Sequence, residues 1–111
     1  MKHINISDLP DIPTSHNKNM LKKVIAKRGD IPHMPQIGRV TIKSGDVAEN
    51  HSHPDMYEVF YIEKGQGNLK LDGKDKTFKA GEVLIIEPGE EHEFSNNSKE
   101  DVVMYYFEIE E

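Results

Sequence analysis

The stretch Gly45-Asp46-Val47-Ala48-Glu49-Asn50-His51-Ser52-His53-Pro54-Asp55-Met56-Tyr57-Glu58 sets two histidines and a carboxylate within eight residues. On an extended chain, residues two apart point to the same face, so His51 and His53 can reach one ion together. Pro54-Asp55 reads as a turn, and a chain reversal there brings Glu58 back beside the imidazoles. A second stretch, Gly81 to Asn96, supplies His92 just after the Pro88-Gly89 turn. Three imidazole nitrogens and one carboxylate make a borderline-hard donor set. It suits one divalent transition ion (Fe, Mn, Ni, Zn or Co) far better than Ca or Mg.

Working outward, the flanks read as short segments rich in Val, Ile, Tyr and Phe, punctuated by Gly, Asp-Gly, Pro-Gly and Asn-Asn. That pattern indicates an all-β sandwich or barrel with little or no helix. Strands are expected at 20–27, 36–43, 50–53, 57–63, 68–72, 75–79, 82–87, 92–95 and 101–108, with Asp72-Gly73 as a two-residue hairpin turn. Residues 1–19 carry Pro10 and Pro13 and little periodicity, so they read as an extended arm preceding a single barrel domain over 20–111.

The last strand stands apart. Val102 to Phe107 is apolar or aromatic on both faces, where a strand with one face in the core should alternate. Burial on both sides implies a second subunit, and we expect a homodimer. The plainer alternative is that Tyr105 and Phe107 pack beneath the N-terminal arm.

Composition narrows the function classes. The chain has 111 residues, a net charge of -6 and no cysteine. The acidic balance argues against a nucleic-acid surface, which needs clustered Lys and Arg. Without cysteine there are no disulfides, thiolate ligands or thiol nucleophile. The longest apolar-rich run is too short to cross a membrane as a helix. No signal peptide is visible, and the expected location is the cytoplasm.

The spacing Gly45, five residues, His51-x-His53, four residues, Glu58, six residues, Gly65 resembles the first motif of the cupin family. The run Gly81, five residues, Glu87-Pro88-Gly89, two residues, His92, three residues, Asn96 resembles the second, with Glu87 where the family usually has proline. The resemblance implies a double-stranded β-helix, or jelly-roll barrel, with His51, His53, Glu58 and His92 as metal ligands inside its mouth. It also implies a small-molecule ligand and reactions of the dioxygenase, isomerase or lyase type. Fold alone does not fix the reaction. A non-catalytic binding or sensing module is the alternative, because no acid–base pair stands out beyond the four ligands.

Tyr106 is the one further catalytic candidate, since a tyrosine lining a metal pocket can serve as a general acid or base. Outside both motifs, His3, His16 and His33 read as surface residues, with the alternative that His16 reaches the barrel mouth if the arm folds over it. Lys22, Lys23, Lys27 and Arg28 read as a solvated strand face, and Glu90, Glu91 and Glu93 as loop surface.

Overall fold

The computed structural model describes residues 1–111. A single 3-10 turn, Ile6–Asp8, precedes ten strands. They are β1 (Ile12–Pro13), β2 (Leu21–Ile31), β3 (Met34–Ile42), β4 (Val47–His51), β5 (Tyr57–Lys64), β6 (Gln66–Leu71), β7 (Lys74–Lys79), β8 (Val83–Ile86), β9 (His92–Ser95) and β10 (Val102–Ile109). These form two antiparallel sheets, in the orders β1-β2-β3-β10-β5-β8 and β4-β9-β6-β7. The all-β sandwich or barrel expected from the turn pattern is therefore the fold, in the jelly-roll form that the family resemblance implied.

Alternation fixes which face looks inward. On β5, Glu58, Phe60 and Ile62 are buried, while Tyr57 and Tyr61 are exposed. On β10, Val102, Met104 and Tyr106 point into the same core. Ile62 and Val102 have no exposed surface at all, and each such side chain contributes about 1.5–3 kcal/mol of burial free energy. Phe60, Phe78 and Phe94 close the space between the sheets, with Phe60 and Phe94 ring centroids 4.7 Å apart.

The turns follow their residue chemistry. Asp72 and Gly73 both have positive φ, 47° and 80°, as a primed hairpin turn requires. Gly65 has φ 87°, and a Cβ there would meet the Asp101 carbonyl oxygen at 2.5 Å. Both reasons exclude a side chain at this motif position.

Three local expectations need correction. The fourth strand ends at His51 instead of running from Asn50 to His53, so His53 lies beyond the strand end. The first long strand continues to Ile31, because the chain turns only at Pro32-His33, where His33 takes φ 69°. A short strand, Ile12–Pro13, pairs antiparallel with β2. Periodicity could not reveal a pairing of two residues.

β1 joins the edge of the large sheet farthest from β8, so it does not cover the outer faces of β5 and β8. There Tyr57, Tyr61, Val83, Ile85 and Ile109 stay exposed, Ile85 by 62%. Cross-strand register makes this one patch: Tyr61 lies between Val83 and Tyr105, and Val59 between Ile85 and Phe107.

Candidate metal centre

The two sheets bring together four side chains from separate parts of the sequence. His51 closes β4 and His92 opens β9, where the two are direct cross-strand partners. Glu58 projects inward from β5 on the facing sheet. His53 reaches the same point from the loop after β4. The candidate ligand atoms of His51, His53, Glu58 and His92 all lie within 4.8 Å of one another. An ion with bonds of about 2.0–2.2 Å would close that spread with small side-chain shifts.

The hydrogen bonds around the rings direct them. Nδ1 of His51 faces the Glu49 carbonyl at 2.9 Å, and Nδ1 of His92 faces the Glu90 carbonyl at 3.0 Å. A carbonyl only accepts, so each Nδ1 carries the proton and each neutral ring offers its Nε2 lone pair to the centre. Glu58 Oε1 lies 3.0 Å from His92 Nε2 and 3.4 Å from His53 Nε2. Glu58 Oε1 and His92 Nε2 are nonetheless buried without a hydrogen-bond partner. Such groups are costly to bury unless something satisfies them, and a cation at their common focus does.

The electrostatics agree with that reading at His51 and Glu58, while at His92 the nearby Glu58 carboxylate favours the protonated ring. Burial lowers the His51 pKa to about 4, which keeps that ring neutral at ordinary pH. Burial works to raise the pKa of Glu58, but the surrounding imidazoles, His92 first, together outweigh it and hold the carboxyl below its usual range. For His92, burial lowers the pKa, while Glu58 and the Glu90 carbonyl reverse the balance and raise it.

A cavity of about 280 Å³ opens beside this centre. Phe60, Phe94, Val40, Ile42 and Met104 supply its apolar wall, while Lys22, Gln36, Tyr106 and Glu108 supply polar groups. Phe60 and Phe94 line the cavity without plugging it. Tyr106 faces inward and donates a short hydrogen bond to Gln36 Oε1. Gly38 makes room for it: a Cβ at that position would lie 2.4 Å from the Tyr106 hydroxyl oxygen. Burial first, then Glu108 and Glu58, push the Tyr106 pKa well above the usual phenol range. Burial and Glu58 likewise raise that of Glu108.

Two residues read as surface belong to the cavity. His16, on the N-terminal arm, stacks on His51 with ring centroids 3.7 Å apart and planes inclined by 15°. The arm is tied down there by Asn17, whose side-chain amide donates to the Val47 carbonyl at 3.1 Å. Lys22 turns inward and donates to Gln36 Oε1 at 3.0 Å. The rest of the basic cluster disperses, with Lys23 bonded to the Leu9 carbonyl and Arg28 paired with Glu110. Only the inward parity of Lys22 beside Met20 hinted at its place in the sequence. For His16 the structure favours the alternative to a surface site, since the arm does fold over the mouth, and that path is a tertiary matter. His3 and His33 are exposed, as expected.

No helix is long and apolar enough to cross a membrane. The family model for the cupin domain matches residues 38–108. An oxalate-binding protein of Thermotoga maritima is 33% identical over 64 residues, which cover 58% of this chain and 53% of that protein. The match thus spans about half the length of that relative. Among solved structures, a Thermotoga maritima protein described as a predicted oxalate decarboxylase superposes with a TM-score of 0.89 at 22% identity, covering 99% of this chain and 100% of that one. The polyketide cyclase RemF from Streptomyces resistomycificus superposes at 0.84 with 18% identity, covering 98% and 79%. At these identities the likeness is one of fold. Both sequence motifs meet at one focus between two jelly-roll sheets and fall within the matched span, and the chain belongs to the cupin family.

Proposed function

We propose that this chain holds one divalent transition-metal ion on His51, His53, Glu58 and His92 and uses it to act on a small organic molecule. The observation that carries this reading is the pair of buried, unpartnered acceptors, Glu58 Oε1 and His92 Nε2, aimed at one point. Four protein ligands leave positions open on a five- or six-coordinate ion, where a bound metal polarises a substrate oxygen as a Lewis acid. The chain's own residues provide the rest. The apolar wall excludes water, and Tyr106, kept protonated by burial, can donate a hydrogen bond to a ligand oxygen. The dioxygenase, isomerase and lyase types all fit this arrangement. The cavity's polar groups also support a second reading, a module that binds its ligand without transforming it.

Elemental analysis of untagged protein beside a His92→Ala variant tests the metal reading. About one Fe, Mn, Ni, Zn or Co per chain, lost in the variant, is expected. Folded wild-type protein that takes up none of these ions would refute it.

We also propose that the outer face of β8, β5 and β10 pairs two copies of the chain. Tyr57, Tyr61, Val83, Ile85 and Ile109 are each more than a third exposed and lie on neighbouring strands as one mostly apolar patch, the kind of surface that marks an interaction site. A patch repeated on both partners suits a two-fold interface.

A further inference from the structure

Lys22 forms no ion pair, although Glu108 in the same cavity feels its charge at longer range. Its side chain is half-buried on the cavity wall. Its ammonium makes one hydrogen bond, to the neutral amide oxygen of Gln36. No carboxylate lies within ion-pair distance of it, although Lys2, Lys23, Arg28 and Arg39 all have one. Glu108 shares the cavity but stays outside that distance. A half-buried ammonium with spare donors calls for an anion, because solvation is incomplete and a neutral amide compensates only in part.

Tyr106 converges on the same atom. Its hydroxyl also donates to Gln36 Oε1, so one acceptor is shared by an ammonium and a phenol. The ring is fixed by close packing against Gly38. The two donors are therefore held side by side, and an incoming oxygen group can take up both. This polar corner stands on β2, β3 and β10 of the large sheet, and the cavity it lines also reaches His51, His53 and Glu58 of the four-residue centre.

Charge and volume define the ligand. With a divalent ion in place, the ion and Lys22 carry three positive charges against two negative ones from Glu58 and Glu108, which leaves room for a monoanion. A cavity of about 280 Å³ with aromatic and aliphatic lining is much larger than oxalate needs. Oxalate alone would leave Phe60, Phe94, Val40 and Met104 facing empty or wet space.

Resting on the metal-site reading above, we propose that Lys22 and Tyr106, bridged by Gln36, anchor the carboxylate of a monocarboxylic acid whose apolar body, a single ring or short branched chain, fills the cavity toward the metal centre. Lys22 supplies charge recognition and Tyr106 supplies direction. The aromatic and aliphatic wall discriminates against small dianions.

The test uses full-length, metal-loaded protein and titration calorimetry. The probes are benzoylformate and 4-methyl-2-oxopentanoate, their uncharged primary amides, and oxalate. At least one of the two acids should bind wild-type protein, at least 10-fold more tightly than its own amide and than oxalate. Lys22→Met should weaken that acid at least 10-fold and leave its amide unchanged. Lys22→Gln serves as a second variant, and melting curves with metal content confirm that each variant is folded and loaded. Unchanged binding of the acid to folded, loaded Lys22 variants overturns the anchor. So does tightest binding by oxalate, or failure of both acids to bind. Metal analysis reads the underlying assignment separately, since a wild-type chain without metal defeats that reading whatever the acids do.

Discussion

Glu58 Oε1 and His92 Nε2 face each other across 3.0 Å in the core, yet neither finds a hydrogen-bond partner there. One comes from β5 and the other from β9, so the two sheets are pressed together at a point where two acceptors meet. Replacing the carboxylate with its isosteric amide separates structure from metal binding. In Glu58→Gln an amide N–H can donate to His92 Nε2, so the metal-free protein should keep its stability to within about 1 kcal/mol or gain slightly. Metal affinity should fall beyond the roughly 10–100-fold typical of losing a supporting group behind a ligand. Chemical denaturation with and without added metal measures both.

Gly38 and Tyr106 form a second obligate pair. Since a Cβ on Gly38 would lie 2.4 Å from the Tyr106 hydroxyl oxygen and 2.5 Å from the adjoining ring carbon, Gly38→Ala should cost about 1–3 kcal/mol. Truncating the ring removes the conflict. In a double-mutant cycle with Tyr106→Ala, the added cost of Gly38→Ala should therefore largely vanish. Urea denaturation of the four proteins supplies the coupling energy.

Asn96 closes the second motif and is 1% exposed. Its side-chain amide donates to the carbonyls of Ile42 (2.8 Å) and Glu100 (2.7 Å), and its Oδ1 accepts from the Ser98 backbone N–H at 2.9 Å. Asn96→Ala strands these groups and should destabilise the fold by about 2–4 kcal/mol. The four candidate ligands are untouched, so folded Asn96→Ala should still load metal. Denaturation and elemental analysis of one sample check both statements.

Tyr106 gives a pH signature. Its pKa is raised in the folded state, so the fold favours the neutral phenol. The associated stability is fully present below the unfolded value of about 10 and is lost as pH rises through the folded value. Absorbance titration should show one tyrosine ionising only at strongly alkaline pH, accompanied by unfolding. Tyr106→Phe should abolish that late phase and flatten the loss of stability above about pH 10.

The exposed face of β8 and β5 predicts self-association. Sedimentation should report a dimer for the wild type, and Ile85→Glu, at a site 62% exposed in the single chain, should give a folded monomer. A monomeric wild type at tens of micromolar would count against the interface.

Much of this architecture is legible along the chain because its causes are local. Segments rich in Val, Ile, Tyr and Phe between turn residues marked most of the strands, Asp72-Gly73 marked its hairpin, and His51, His53, Glu58 and His92 stood at spacings that a turn and a strand could bring to one focus. A strand apolar on both faces suggested that the outside of β10 was not an ordinary solvent face, and the structure leaves Tyr61 on the adjoining β5, and Ile85 on β8 beyond it, uncovered. Such signals survive in sequence because backbone geometry fixes side-chain direction one residue at a time.

What only the tertiary structure decided is where the unpatterned residues go. His16 lies 35 residues from His51 in the chain, yet stacks on it, because β1 docks on β2 and carries the arm across the mouth. Lys22 reads as one of several surface lysines until β2 packs beside β3 and turns it toward Gln36. The inward face of β10, and with it the place of Tyr106 in the cavity, follows from pairing β10 between β3 and β5. Long-range pairing obeys no local period, so the donors that surround the cluster of His51, His53, Glu58 and His92 are set by the closing of the two sheets.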